Sequence, residues 1–169
     1  FIVETELLIN CAGLNAARIA NEVYEEERFK LKLLKGEYYS YSGREKLNHL
    51  IYPLPQQDSL GIHATIDLGN GIRFGPSAYE VNKVDYSIDD REKDKFYDLV
   101  KTYWPNLDKE KLSPDYSGIR PLIEGENDFV IDVSALNNTF LANVLCYASP
   151  GLTASLALAK EINSMVNDS

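Results

Sequence analysis

At 169 residues, with 44% apolar and 25% charged residues, the chain has the length and composition of one ordinary globular domain with a core, not of a disordered segment. Its 26 acidic against 17 basic residues give a net charge of −9. That balance argues against a general binder of nucleic-acid backbones, which must neutralise phosphates, but a small anionic ligand needs only one or two local cations. No run of about 18 apolar residues is present to cross a bilayer. The opening Phe-Ile-Val-Glu-Thr-Glu lacks the basic-then-apolar order of a secretion signal. A cytoplasmic protein is expected, with peripheral membrane association as the variant. Cys11 and Cys146 are then read as reduced, buried thiols. The glycosylation patterns at residues 137–139 and 167–169 are read as chance, and the abrupt apolar start as a cut edge.

In chain order, Leu7, Leu8 and Ile9 predict a buried strand that runs through Asn10, Cys11 and Ala12 into a turn at Gly13. A helix should follow, since Ala16, Ile19, Ala20 and Val23 recur at helical spacing with Glu22, Glu25 and Glu26 off the stripe. Residues 29–42, rich in Tyr, Leu and Lys, read as strands, with Gly36 marking a turn or bulge. The prolines make 50–55 extended. Alternation over 61–68 and the run 72–74, joined by Asn70-Gly71, predict a hairpin. The clearest helix spans 87–104, with Phe96, Leu99, Val100 and Tyr103 on one face, a capping box from Asp89 to Glu92, and Pro105 as its stop. Strands over 129–133 and 140–147 precede a final helix whose stripe is Leu152, Leu156, Ala159, Ile162 and Val166.

The chemistry these residues allow is limited. The two histidines, His49 and His63, and the two cysteines are too scattered for a zinc site, and no acidic segment has a calcium-loop pattern. There is no Gly-x-Gly-x-x-Gly and no Walker-type loop. Two turns of small residues, Cys11-Ala12-Gly13 and Ser149-Pro150-Gly151, would let backbone approach a ligand at a helix N-terminus; tight packing of helix on strand accounts for them equally. Arg120, framed by Gly118 and Pro121, has a planar fork suited to a carboxylate, against the plainer reading of a structural ion pair. His63 has the titration range of a general base, although a single strand histidine is more often structural.

Three groups of segments carry a resemblance. Residues 9–14 with 17–20 resemble a strand–turn–helix of the D-amino-acid-oxidase-like superfamily. Residues 52–55, 60–63 and 71–78, and then 116–121, 128–131 and 149–155, are similar to the L-2-hydroxyglutarate dehydrogenase/oxidase group within it. The segments come in the family's order across nearly the whole chain.

The resemblance implies a mixed α/β (α+β) flavoprotein fold with two layers. Residues 1–28 and 140–169 would belong to a Rossmann-like FAD layer and 29–139 to a mixed-sheet substrate layer. The family's N-terminal Gly-rich grip on FAD is absent, so the chain is expected to be the C-terminal half of such a protein and inactive alone, with FAD implied for the intact protein. By the same resemblance Cys11, Ala12 and Gly13 lie along the ADP side of FAD. Pro150, Gly151, Leu152 and Thr153 face the flavin pyrimidine edge. Arg120 binds a substrate carboxylate, His63 is the general base, and Tyr52, Tyr116 and Ser117 are further substrate contacts. The implied activity is oxidation of a small 2-hydroxy acid, 2-hydroxyglutarate-like, by hydride transfer to flavin. An amino-acid or amine oxidase and a non-catalytic, partner-binding module are the alternatives. The expected partners are a small carboxylate and either an N-terminal partner chain or a second copy.

Overall fold

The computed structural model describes residues 2–54, 61–136 and 139–167. They form two compact units, Phe1–Leu33 with Arg120–Ser169, and Leu34–Ile119.

In the first unit, β1 (Leu7–Asn10) leads through Gly13, at φ +57°, into a short 3-10 turn and α1 (Ala16–Tyr24). Strands β7 (Val130–Leu136) and β8 (Thr139–Leu145) form a hairpin, and α3 (Gly151–Asn167) follows. The sheet order is β1-β8-β7, with β1 parallel to β8. Residues 120–139, grouped by sequence with the middle of the chain, lie in this unit because β7 is paired along its whole length with β8.

Alternation along β8 feeds two cores. Leu145 packs with Ala16 and Ala17 of α1, while Ala142 and Val144 pack with Ile162 of α3. The two helices therefore cover opposite faces of the sheet. A polar seam crosses the α1 side. The Asn10 amide donates to the Ala16 carbonyl (2.8 Å) and to Asn143 Oδ1 (2.9 Å). Asn143 donates to Asp132 (3.0 Å), which also accepts from the Tyr24 hydroxyl (2.6 Å). Burial and that carboxylate hold the Tyr24 hydroxyl above its ordinary pKa. The seam satisfies two side-chain amides that are otherwise cut off from water.

Three expectations fail in this unit. Leu7, Leu8 and Ile9 are 36–47% exposed rather than buried, because β1 has a neighbour on one side only among the described residues. Cys11 is exposed as well; only Cys146 is buried. On α3 the stripe splits: Ile162 and Val166 pack, whereas Leu152 and Leu156 point outward at 90% and 81% exposure.

The second unit is built on β2 (Leu31–Tyr41). Strand β2 pairs antiparallel with β4 (Ile72–Gly75), which pairs with β3 (His63–Ile66). β5 (Tyr79–Val81) and β6 (Leu112–Ile123) also pair with β2. The β3–β4 hairpin forms as expected. Asn70 takes φ +64°, and Asp67 Oδ1 accepts the amides of Gly69 and Gly71, both at 2.8 Å. One face of the sheet carries Tyr39, Tyr41, Ala64, Ile72 and Phe74 and packs on Phe96 and Val100 of α2 (Lys93–Lys101).

Here too the structure differs from the sequence reading. Residues 29–42 hold one long strand with Gly36 buried inside it, not several strands broken at a turn. The helix read over 87–104 shrinks to α2, preceded by a 3-10 turn at Asp90–Glu92. Asp89 caps that turn by accepting the Arg91 amide (3.0 Å), and its bonds to the Arg91 side chain hold its carboxyl down at about 2. Glu92 returns no bond, so the capping box does not form. The segment around Arg120 is no short loop but part of the twelve-residue β6, disguised by Pro114 and Pro121, which cannot donate to a ladder. Residues Pro55 and Leu60, Asn137 and Asn138, and Asp168 and Ser169 lie outside the described residues.

Beneath β2 sits a buried ion pair, Lys35 Nζ to Glu37 Oε1 at 3.1 Å, with both side chains almost wholly enclosed. Tyr79 donates to the same oxygen (2.6 Å) and Lys35 also donates to the Ser87 carbonyl. Removing one partner of such a pair leaves an uncompensated buried charge. Lys35→Met is expected to lower unfolding free energy by roughly 3–5 kcal/mol, and the double change Lys35→Met/Glu37→Leu to recover most of it. Urea denaturation of the wild-type chain and the two variants checks this.

Candidate functional site

The face of the second unit's sheet opposite α2 collects the candidate residues. Lys35, Glu37, Tyr39 and Tyr41 occupy one side of β2, so Tyr38 and Ser40 project to the other. The β2–β4 register pairs Tyr39 with Phe74, which brings Tyr38 level with Gly75, and Gly75 is paired with His63. Gly75 has φ +149°, and a Cβ there would lie 2.6 Å from the Tyr38 ring and 2.7 Å from the Glu37 carbonyl. The Tyr38 ring thus rests over the backbone of β4. Tyr116 stacks on it at 4.6 Å with 12° between planes. Tyr52 packs against the His63 ring at 4.3 Å. Tyr52 and Tyr116 are both exposed. Arg73, on the same face, is held between Asp115 (2.5 Å) and Asp67 (2.8 Å), which raises its pKa and keeps its fork engaged.

The substrate contacts expected from sequence are thereby divided. Tyr52 and His63 come together. Tyr116 and Ser117, neighbours in a strand, point to opposite sides, and the Ser117 hydroxyl is donated to the Tyr86 carbonyl (2.7 Å). Ser117 is therefore not placed beside Tyr116 toward one ligand. Arg120 is half-buried on β6, on the same side of that strand as Tyr116 and Gly118 by alternation. No carboxylate of the described residues pairs with it. Tyr38 and Gly75 escaped sequence reasoning. The signal was there: in a Tyr-Tyr pair within a strand, one ring must leave the core.

The expected cofactor turns belong to the first unit. Because β1 and β8 run parallel, both strands end at one edge of the sheet, the side on which ligands sit in α/β folds. Cys11 and Gly13 line a groove of about 310 Å3 with Val144, Tyr147, Leu158 and Ile162. Ala12 donates its amide to Asn10 Oδ1 (3.3 Å). A Cβ on Gly13 would meet nothing, so that turn leaves room for a ligand. Gly151 differs: Tyr147 already fills the space its Cβ would take, at 2.8 Å, and donates to its carbonyl (2.8 Å). Packing accounts for that glycine. The amides of Leu152 and Thr153 in the first turn of α3 remain as donors without intrahelical partners. Gly13 and the start of α3 fit the approach of an anionic or carbonyl-rich cofactor.

Among the described residues, no group of three His, Cys, Asp or Glu side chains could hold a metal ion, and no helix is long and apolar enough to cross a membrane.

Comparison with known proteins follows this geometry. Residues 2–165 match the family model "FAD dependent oxidoreductase". The chain belongs to this D-amino-acid-oxidase-like family. It is 35% identical to the mitochondrial L-2-hydroxyglutarate dehydrogenase of Arabidopsis thaliana over 92% of its own length and 36% of that protein. It is 31% identical to the glycerol 3-phosphate oxidase of Mycoplasma genitalium, covering 97% of this chain and 43% of that one. Among solved structures, the FAD-bound L-alpha-glycerophosphate oxidase of Mycoplasma pneumoniae superposes with a TM-score of 0.78 at 24% identity, over 94% of this chain and 42% of that chain. The fold is thus a mixed α/β portion of such flavoproteins, and the chain spans less than half the length of these relatives.

Gly75→Ala tests the open face directly. The new methyl meets backbone and an aromatic ring in a region of φ that L-residues avoid. A loss of about 2–4 kcal/mol is expected from urea unfolding, with altered Tyr fluorescence from a displaced Tyr38.

Proposed function

We propose that this chain contributes the substrate face and part of the cofactor layer of an FAD-dependent oxidoreductase that oxidises a small 2-hydroxy acid resembling 2-hydroxyglutarate. One observation carries the reading. His63 stands on an open, tyrosine-lined sheet face in a chain 35% identical to a named L-2-hydroxyglutarate dehydrogenase.

In this reading Arg120 binds the substrate carboxylate through its two-pronged fork, which fixes the orientation of C2. His63 takes the C2 hydroxyl proton at a ring nitrogen as the alcohol becomes a ketone. Tyr52 holds the His63 ring, and Tyr116 borders the substrate face by stacking on Tyr38. Cys11, Ala12 and Gly13 would hold the ADP side of FAD, with Pro150, Gly151, Leu152 and Thr153 at the flavin's pyrimidine edge, where a helix N-terminus favours negative charge. FAD, when bound, supplies the hydride acceptor. The glycerol 3-phosphate oxidase likeness favours a second reading, because the same arginine fork fits a phosphate.

Steady-state kinetics on the chain joined to the remaining portion of the family fold and loaded with FAD would separate these. L-2-hydroxyglutarate is expected to turn over ahead of glycerol 3-phosphate and of amino acids. Arg120→Ala should raise KM about 10- to 100-fold and lower kcat, as expected for loss of a charge-assisted pair. Unchanged constants would remove Arg120 from the site.

The reading also assigns the unpaired edge of β1 to a strand of the longer family fold. Parallel strands are covered on both faces in such sheets, whereas Leu7, Leu8 and Ile9 are exposed, and the relatives are more than twice as long as the stretch matched here. A second copy is the poorer occupant, since each chain carries −9. The isolated chain should bind a hydrophobic dye, and adding the remaining segment should abolish that binding. A dye-silent monomer in sedimentation rules the assignment out, and a dye-silent dimer assigns the edge to a second copy.

A further inference from the structure

Four strands present one row on the open face: His63 on β3, Gly75 on β4, Tyr38 on β2 and Tyr116 on β6. Strands two apart lie roughly 10 Å from each other, so a side chain at position 75 would normally separate those on β3 and β2. Glycine removes it, and the Tyr38 ring lies in its place, with Cδ1 and Cγ only 2.6 and 2.8 Å from where a Cβ would be. The position directly across from His63 is therefore occupied by the flat of an aromatic ring. Tyr116 backs that ring by parallel stacking. On the other side of His63 stands Tyr52. An acid whose C2 hydroxyl reaches His63 has the Tyr38 ring toward β2 and the Tyr52 ring on the other side of His63.

We propose that Tyr38 is a specificity-determining residue, a wall beside His63 that admits unbranched aliphatic 2-hydroxy acids and excludes those with an aromatic substituent at C3. The proposal rests on the assignment of His63 to the reacting hydroxyl. Tyr116 acts through Tyr38 as a positioning residue. Gly75 makes the arrangement sterically allowed.

The test uses the intact 169-residue chain. It has only two histidines, so His63 is assigned in a histidine-labelled NMR spectrum by comparison with His63→Gln. L-lactate, L-2-hydroxyglutarate and L-3-phenyllactate are titrated while the His63 resonance is followed. In the wild-type chain phenyllactate should bind at least about tenfold more weakly than 2-hydroxyglutarate, and Tyr38→Ala should shrink that gap to about twofold, the scale on which pocket walls discriminate. Tyr38→Phe should keep the gap, and Tyr116→Leu, at an exposed position, should narrow it partly. If Tyr38→Ala does not fold by circular dichroism, Tyr116→Leu decides. A gap that survives both changes overturns the proposal while leaving the 2-hydroxy-acid reading intact. A His63 resonance that no acid moves overturns that reading and this proposal with it.

Discussion

The buried pair of Lys35 and Glu37 constrains everything built on β2. Strand side chains alternate with a period of two, so a slip of one residue would exchange the faces entirely. The two charges are stable only where the Tyr79 hydroxyl and the Ser87 carbonyl meet them, on the α2 side. With that register set, Tyr39 and Tyr41 must enter the core beside Phe96, and Tyr38 must leave it. A buried ion pair adds little net stability because both ions lose their hydration. Its contribution here is to fix which tyrosine faces away from α2, and hence where His63 and Gly75 find their neighbour.

The first unit relies on a different device. Among the described residues its sheet has three strands, and only β8 has neighbours on both sides. The seam from Asn10 through Asn143 to Asp132 and Tyr24 joins α1 to all three strands by hydrogen bonds that water cannot replace. It therefore holds the carboxyl ends of β1 and β8 in step. The turns after those two strands are the ones that resemble the family's FAD contacts. The same seam leaves β1 exposed along its far edge, which agrees with a chain that matches under half of each longer relative.

Much of the fold was legible from local signals, and the failures share a cause. The Asn-Gly hairpin, the Gly13 turn and the helical spacing of Phe96 and Val100 on α2 depend on contacts or dihedrals close in sequence, so residue type predicts them. β6 was not legible, because Pro114, Gly118 and Pro121 look like a loop until β2 is laid beside them. Gly36 looked like a turn for the same reason. The stripe on α3 was read correctly as helical, yet periodicity cannot say which part of a stripe has something to pack against; Ile162 does and Leu156 does not. The candidate site was legible as residue types, with His63, Tyr52 and Tyr116 singled out. Their environments were not, and Ser117 was misjudged because its hydroxyl partner lies 31 residues away.

Taken alone, the sequence determined the class of protein. Its spaced motifs, carried in order along the chain, marked an FAD-dependent oxidoreductase. Tertiary structure decided which small residues are closed in by packing and which face open space. Gly13 and Gly151 look alike in sequence, but only Gly13 faces open space, since Tyr147 folds back over the other. It also decided that Tyr38, a residue with no motif around it, stands across from His63. That outcome depends on the register of three strands and on an ion pair buried beneath them, and strand pairing over such separations is set by the whole sheet rather than by any local stretch of sequence.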